Sequence, residues 1–167
     1  NHFTGNSNAE SAAIKFRGTN KTNLNGLQIR DNVISKTENG IILEDNHPNS
    51  KYFNLAITRN QISLSGKSGW GISAKNDHFE NGFISGNSIS GGLGSIFFGS
   101  ANGFVISGNI LSQNLNQGIA IESLSNSIVN GNVLKNPSSE YGIALGEPST
   151  NWQSLQSNIS GNTIEGA

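Results

Sequence analysis

The chain has 167 residues, a formal net charge of −1 and neither cysteine nor methionine, a length that accommodates about one domain. The near-neutral balance gives no electrostatic footprint for nucleic acid or an anionic membrane, and the lack of cysteine excludes disulfides, a thiol nucleophile and a zinc–thiolate site. No stretch approaches the ~18 apolar residues of a membrane span, and the start lacks the basic-then-apolar pattern of a signal peptide.

The unusual part of the composition is its small polar residues: 26 Asn, 24 Ser and 21 Gly. Such turn-formers alone would point to disorder, but Leu, Ile, Val and Phe still make up about a quarter of the chain, above the ~20% below which a core is hard to form. Ile accounts for 19 of them against 4 Val, and β-branched residues favour strands. The composition predicts many short strands separated by tight turns. The chain also opens at Asn1, without an initiator methionine and already inside a repeat pattern, which reads as a piece of a longer chain.

In chain order the first element is Phe3-Thr-Gly-Asn6, a degenerate copy of a recurring tetrad: an apolar residue, two small or polar residues, then Asn, followed by x-apolar. Next comes Ala13-Ile-Lys-Phe16, a loose form of a second motif, Gly-Ile-x-apolar. The two motifs then alternate. Ile29-Arg-Asp-Asn32-Val-Ile34 precedes Gly40-Ile-Ile-Leu43, and Ile57-Thr-Arg-Asn60-Gln-Ile62 precedes Gly71-Ile-Ser-Ala74. Ile84-Ser-Gly-Asn87-Ser-Ile89 is followed by Ser95-Ile-Phe-Phe98, and Ile106-Ser-Gly-Asn109-Ile-Leu111 by Gly118-Ile-Ala-Ile121. Val129-Asn-Gly-Asn132-Val-Leu134, Gly142-Ile-Ala-Leu145 and Ile159-Ser-Gly-Asn162-Thr-Ile164 complete the series. The Asn-to-Asn steps are 26, 28, 27, 22, 23 and 30 residues.

Both motifs place apolar residues two apart, the period of a strand with one buried face, and no segment carries a helical stripe. Each repeat therefore holds three short strands. Asn tolerates the left-handed conformation that a tight corner needs, and Asn residues stacked at one corner can hydrogen-bond as a ladder. A single coil cannot bury its apolar face, so neighbouring coils must stack into a continuous core. The expected fold is an all-β parallel β-helix of about six to seven coils, one domain over 1–167, with no polar or helical cap evident at either end.

Stacking on the Gly-Ile motif predicts the inward pairs Ile14/Phe16, Ile41/Leu43, Ile72/Ala74, Ile96/Phe98, Ile119/Ile121 and Ile143/Leu145. The outward column after them runs Arg17, Glu44, Lys75, Gly99, Glu122, Gly146, and the next contains Gly18, Asp45 and Asn76. Slightly further on lie His47 and His78, expected on adjacent coils, with Asp77 beside the second. The chain has only 21 charged residues, so this cluster on the first three coils stands out. An ion-pair ladder in water would have the same arrangement and contribute little. Trp70, Tyr141 and Trp152 can stack on sugar rings or pack loops, and Phe97 is expected to point outward as a candidate contact residue. No metal site is expected. Acidic and amide oxygens can bind calcium, but no Gly-Gly-x-Gly-x-Asp nonapeptide is present.

The Asn-corner tetrad on coils of 22–30 residues resembles the right-handed parallel β-helix superfamily, which includes pectate lyases, polygalacturonases, alginate epimerases and many phage tailspikes. The resemblance covers essentially the whole chain, and it specifies a fold and not a reaction. It implies an extracellular protein acting on a polysaccharide, acidic by the charges present, through lyase, epimerase or hydrolase chemistry without a cofactor. In that reading Arg17 and Lys75 neutralise a uronate carboxylate, Trp70 contributes to substrate binding, and His47 or His78 serves as base or acid. Glu44, Asp45 and Asp77 are orienting or catalytic carboxylates, and a hydrolase would use two of them about 5–9 Å apart. Asp45-Asn46-His47 is similar to the Asp-Pro-His of alginate epimerases, with Asn46 in place of Pro and Ile42 in place of a Tyr. The Trp-x-Asp-His and Asn-Thr-Asp signatures of pectate lyases and polygalacturonases are absent. The alternative implied by the same resemblance is a non-catalytic shaft or adhesin, such as a tailspike body, with flanking domains or a homotrimeric assembly.

Overall fold

The computed structural model describes residues 1–5, 11–18, 23–45, 51–75, 78–135, 141–146 and 156–166. Among them every regular element is a strand, and no helix is long and apolar enough to cross a membrane. After β1 (His2–Thr4), the first winding comprises β2 (Ala12–Gly18), β3 (Asn23–Asn25), β4 (Gln28–Arg30) and β5 (Val33–Thr37). The second is β6 (Asn39–Asp45), β7 (Lys51–Thr58) and β8 (Gln61–Leu64), and the third β9 (Trp70–Lys75), β10 (His78–Ser85) and β11 (Ser88–Ser90). Then follow β12 (Gly94–Ser107) with β13 (Ile110–Ser112), and β14 (Gln117–Ser125) with β15 (Ile128–Asn130) and β16 (Val133–Lys135). The last winding is β17 (Tyr141–Leu145), β18 (Asn158–Ser160) and β19 (Thr163–Glu165).

Every strand pairs in parallel with its counterparts in adjoining windings, as a solenoid requires. The first face is β2-β6-β9-β12-β14-β17, and the third is β1-β5-β8-β11-β13-β16-β19. The second face runs from β3 and β4 through β7, β10 and the far half of β12 to β15 and β18. The 14-residue strand β12 passes unbroken through a corner and joins the first two faces into one hydrogen-bonded sheet.

In-register stacking turns the sequence period into columns of like residues inside the solenoid. Ile41, Ile72, Ile96 and Ile119 are successive rung neighbours, all fully buried. On the third face Ile34, Ile62, Ile89, Leu111 and Leu134 do the same. Aromatic rings fill part of the interior. Tyr52 stacks on Phe79 at 4.8 Å between centroids, and Phe79 meets Phe98 edge-on at 5.3 Å. All the inward pairs expected from the Gly-Ile motif point into the core, those of the outermost windings being partly buried. The glycine of that motif answers a close approach between windings. A Cβ on Gly71 would collide with a methyl group of Ile89 and lie 2.8 Å from the Ser95 carbonyl oxygen.

The Asn corner carries the expected ladder. The side-chain amides of Asn32, Asn60, Asn87, Asn109 and Asn132 each donate to the Oδ1 of the next Asn, at 2.9–3.0 Å. The same Oδ1 also accepts the previous Asn's backbone N–H at 3.0–3.1 Å. The second amide hydrogen is met by a backbone carbonyl one winding earlier, as in Asn87 Nδ2 to Ile57 O at 2.9 Å, or for Asn32 by the Arg30 carbonyl of its own winding at 3.0 Å. Each amide is thus buried with its donors and acceptor paired, which is the condition for burying it at little cost.

The structure corrects two details of the sequence reading. The left-handed residue is not Asn but the one before it: Asp31, Arg59, Gly86, Gly108, Gly131 and Gly161, with φ of 54–64°. That accounts for the glycine in Ile-Ser-Gly-Asn. The first rung of the ladder is also Asn1 and not Asn6, since Asn1 Nδ2 donates to Asn32 Oδ1 at 3.2 Å and Phe3 lies opposite Ile34. The physical requirement is an apolar residue two positions after the Asn. Asn1-His2-Phe3 supplies it, whereas Asn6-Ser7-Asn8 does not; Asn6 itself lies outside the described residues.

Candidate functional site

The outward side of the first face is where strand alternation sets chemically different residues next to one another. Along one column the rung neighbours are Lys15, Ile42, Ser73, Phe97, Ala120 and Ala144. Beside it Arg17 lies opposite Glu44, and Glu44 opposite Lys75, as the stacking of the Gly-Ile motif predicts. Gly18 and Asp45 are likewise paired.

A cleft of about 280 Å³ opens on this face. Its floor and walls include Asn39, Glu44, Ser68, Trp70, Ser73 and Lys75. Trp70 begins β9 opposite Gly94, and a Cβ on that glycine would run into the indole ring, so the missing side chain lets the ring lie over the next rung. Phe97 completes an aromatic pair with Trp70, centroids 5.2 Å apart and planes tilted by 49°. Both rings are half-buried, so Phe97 points outward as expected but leans on the indole. A smaller hollow of about 50 Å³ continues beyond Phe97 toward Gln117, Ala120 and Glu122.

Glu44 anchors the charged edge of the cleft. Its Oε2 lies 3.0 Å from Lys15 Nζ and 3.2 Å from Arg17 Nη2. The hydrogen bond from Lys15, helped by that from Arg17, holds its carboxyl below the usual range against the opposing effect of partial burial. Glu44 is therefore an ionised, cation-bound carboxylate at neutral pH, suited to orienting a group and not to giving up a proton. Lys15, absent from the sequence-based candidates, is its closest cation. Its outward position two residues before Arg17 in β2 was the available signal.

Of the other sequence candidates, Arg17 and Lys75 are exposed on this face and Trp70 lines the cleft. Asp45 ends β6 next to Glu44. His78 opens β10 and pairs in register with Lys51, so it begins the second face. His47, Asp77 and Trp152 lie outside the described residues. Tyr141 is exposed at the start of β17. Among the described residues no group of three His, Cys, Asp or Glu side chains is placed to hold a metal ion.

Two residues at the cleft went unnoticed in the sequence. Glu38, at the corner between β5 and β6, is only 4% exposed. Its carboxylate accepts the Ser68 N–H at 3.0 Å and the Ser68 hydroxyl. Asn39 accepts the Trp70 N–H at 2.9 Å through Oδ1. Neither belongs to the repeat. The only cue was a Glu-Asn-Gly turn in one winding facing a Ser-Gly-Lys-Ser-Gly loop in the next.

No curated protein matches the chain. The family model for the right handed beta helix region matches residues 12–167, from the start of β2 to the end of the chain. With its parallel windings, stacked apolar columns and asparagine ladder, the chain belongs to the right-handed β-helix family.

Proposed function

We propose that the protein binds an acidic, extracellular polysaccharide along the outward side of its first face, as a carbohydrate-active β-helix. The fold supports a carbohydrate-active or structural role in general. The observation that carries the narrower reading is the cleft, which Trp70, Ser73 and Lys75 line and beside which Phe97 packs on the indole. An indole presents an apolar surface to the C–H side of a sugar ring, while hydroxyls and cations on the rim suit sugar hydroxyls and uronate carboxylates. The hollow on the far side of Phe97 favours a ligand longer than one ring. Arg17 and Lys75 would neutralise substrate carboxylate. Chemistry, where it occurs, would fall to His47, His78, Asp45 or Asp77, with Glu44 an orienting carboxylate because Lys15 and Arg17 hold it ionised.

The test is incubation with a panel of acidic and neutral polysaccharides, following ultraviolet absorbance, reducing ends and binding together. A lyase yields an unsaturated uronate that absorbs in the ultraviolet, and a hydrolase raises only reducing ends. Turnover that disappears in a His47→Ala, Lys75→Ala double variant supports an enzyme working on this face. Binding without turnover supports an adhesin, and neither binding nor turnover overturns the sugar reading.

One observation favours the second reading, a shaft that packs against copies of itself. On the second face Ala56, Phe83, Val105 and Ile128 form one outward column, in which Phe83 is 55% exposed and Ile128 42%. Sedimentation of the chain tests it. A monomer at high concentration that Phe83→Ser leaves unchanged counts against it.

A further inference from the structure

The corner between the third and first faces is a single residue, Glu38, in the second winding. One winding on it lengthens to residues 65–69, and Glu38 is the residue around which that loop is wrapped. Its carboxylate takes both the backbone N–H and the hydroxyl of Ser68. The two glycines of the loop make the wrapping possible. A Cβ on Gly66 would overlap the carboxylate, and one on Gly69 would overlap the Glu38 backbone carbonyl. The neighbouring Asn39 reaches the same winding and accepts from the Trp70 backbone. Two adjacent side chains thus hold the two residues, Ser68 and Trp70, that wall the cleft.

A carboxylate is not needed here for stacking. Equivalent corner positions in other described windings hold Ser11, Gly69, Leu93 and Asn116, and those windings stack without one. Among the described residues at these corner positions Glu38 is the one acid, and it stands where the cleft is built.

We propose that Glu38 and Asn39 are positioning residues of the cleft: they act through Ser68 and Trp70, fixing the loop wall and the aromatic platform before a ligand arrives. The proposal rests on the sugar-binding reading for its functional meaning, but its geometric part can be tested separately. Preorganised binding groups lower the ordering cost of association.

The experiment uses the full chain with Trp152→Phe, so that Trp70 is the sole tryptophan. It measures acrylamide quenching of Trp70 fluorescence, and the Kd for polygalacturonate, well below each variant's thermal midpoint. Glu38→Ala and Asn39→Ala should raise the quenching constant and weaken polygalacturonate binding by about fivefold to tenfold, the worth of one hydrogen bond. Gly66→Ala, which lies outside the cleft lining but forces the loop off the carboxylate, should copy Glu38→Ala. Glu38→Gln retains an oxygen to accept from Ser68 and should stay within about twofold of the parent. A purely structural role would lower the thermal midpoint and leave quenching unchanged in all four variants, which overturns the proposal. If the parent binds no polygalacturonate or other polysaccharide, the sugar reading fails, while the quenching series still decides whether Glu38 and Asn39 hold the platform.

Discussion

The Asn corner and the outward side of the first face are built on the same windings and obey opposite rules. At the corner the same residue recurs from Asn32 to Asn162, buried or nearly so, in the same hydrogen bonds. On the first face the rung neighbours Ile42, Ser73, Phe97 and Ala120 share nothing but their spacing. Repetition serves stacking, because each winding must present to the next what the last presented to it. Departure from repetition is where a site can form, because parallel register brings unlike side chains from distant parts of the sequence within ~5 Å of each other. The comparison predicts that changes at the corner act on stability and changes on the face act on binding.

The largest effect should come from breaking the ladder at its centre. Asn87→Ala removes an Oδ1 that accepts from both the backbone and side chain of Asn60, and takes the side-chain donor away from the Ile57 carbonyl and from Asn109 Oδ1, which keeps the backbone N–H of residue 87. Several buried polar groups then lose a partner at once, at about 1–3 kcal/mol each where water cannot reach. We expect a loss of about 3 kcal/mol or more by urea denaturation. Asn1→Ala, at the exposed first rung, should cost less than about 1 kcal/mol. Equal costs at the two positions would contradict the ladder as a cooperative internal element.

Next in size is the opposite case. Trp70→Ala should weaken polysaccharide binding by about tenfold or more, as loss of an aromatic stacking surface does. The fold should survive it, since Trp70 lies outside the buried core. Titration calorimetry alongside thermal melts separates the two effects. Unchanged binding with a large drop in stability would move Trp70 from the face to the core side of the comparison.

The sequence made the repetitive half of this molecule readable and concealed most of the other half. Ile at two-residue spacing and Asn at one corner are periodic signals, so the inward columns and the ladder follow from them directly. The left-handed residue was misplaced by one position because Asn and Gly both favour that conformation and adjoin in Ser-Gly-Asn. The register of the charged column Arg17–Glu44–Lys75 was legible, as it shares the register of the core. The Lys15 partnership was only half legible: its spacing from Arg17 puts it on the same outward face, but in register it faces Ile42 and reaches Glu44 on the diagonal. Glu38 was invisible for a deeper reason: a buried acid in a loop corner has no periodicity, and its partner Ser68 is one of 24 serines. His78 belongs to the second face because β10, which it opens, pairs with β7 from His78 onward.

A smaller effect tests the core at the corner beside Glu38. Thr37 is 2% exposed, and its hydroxyl is buried without a hydrogen-bond partner. Thr37→Val replaces that hydroxyl with a methyl group of similar size and should raise stability by about 1 kcal/mol, relieving a desolvated polar atom. A loss of that size in urea denaturation would mean that the hydroxyl is satisfied by bound water.

The smallest expected effect decides which side of the comparison the Lys15–Glu44–Arg17 cluster belongs to. Glu44's carboxyl is held below its ordinary value of 4.5, first by the hydrogen bond from Lys15. A lowered folded-state pKa means that the unfolded chain binds the proton more readily, so the cluster's contribution is present above pH 4.5 and fades as pH falls through the lower folded value. The Glu44 side chain is about one-third exposed, so solvent screening should limit the contribution to a few tenths of a kcal/mol. Glu44→Gln should therefore flatten the stability curve only on the acid side of 4.5, and added salt should erase most of the difference above it. The same substitution frees Lys15 and Arg17 from their carboxylate, which should tighten binding of an acidic polysaccharide at neutral pH and leave a neutral one unaffected. A cluster that serves only as an ion-pair ladder would show the stability signature alone. One that serves recognition would show a change in affinity larger than the change in stability, because the cations face the ligand and the core lies behind them.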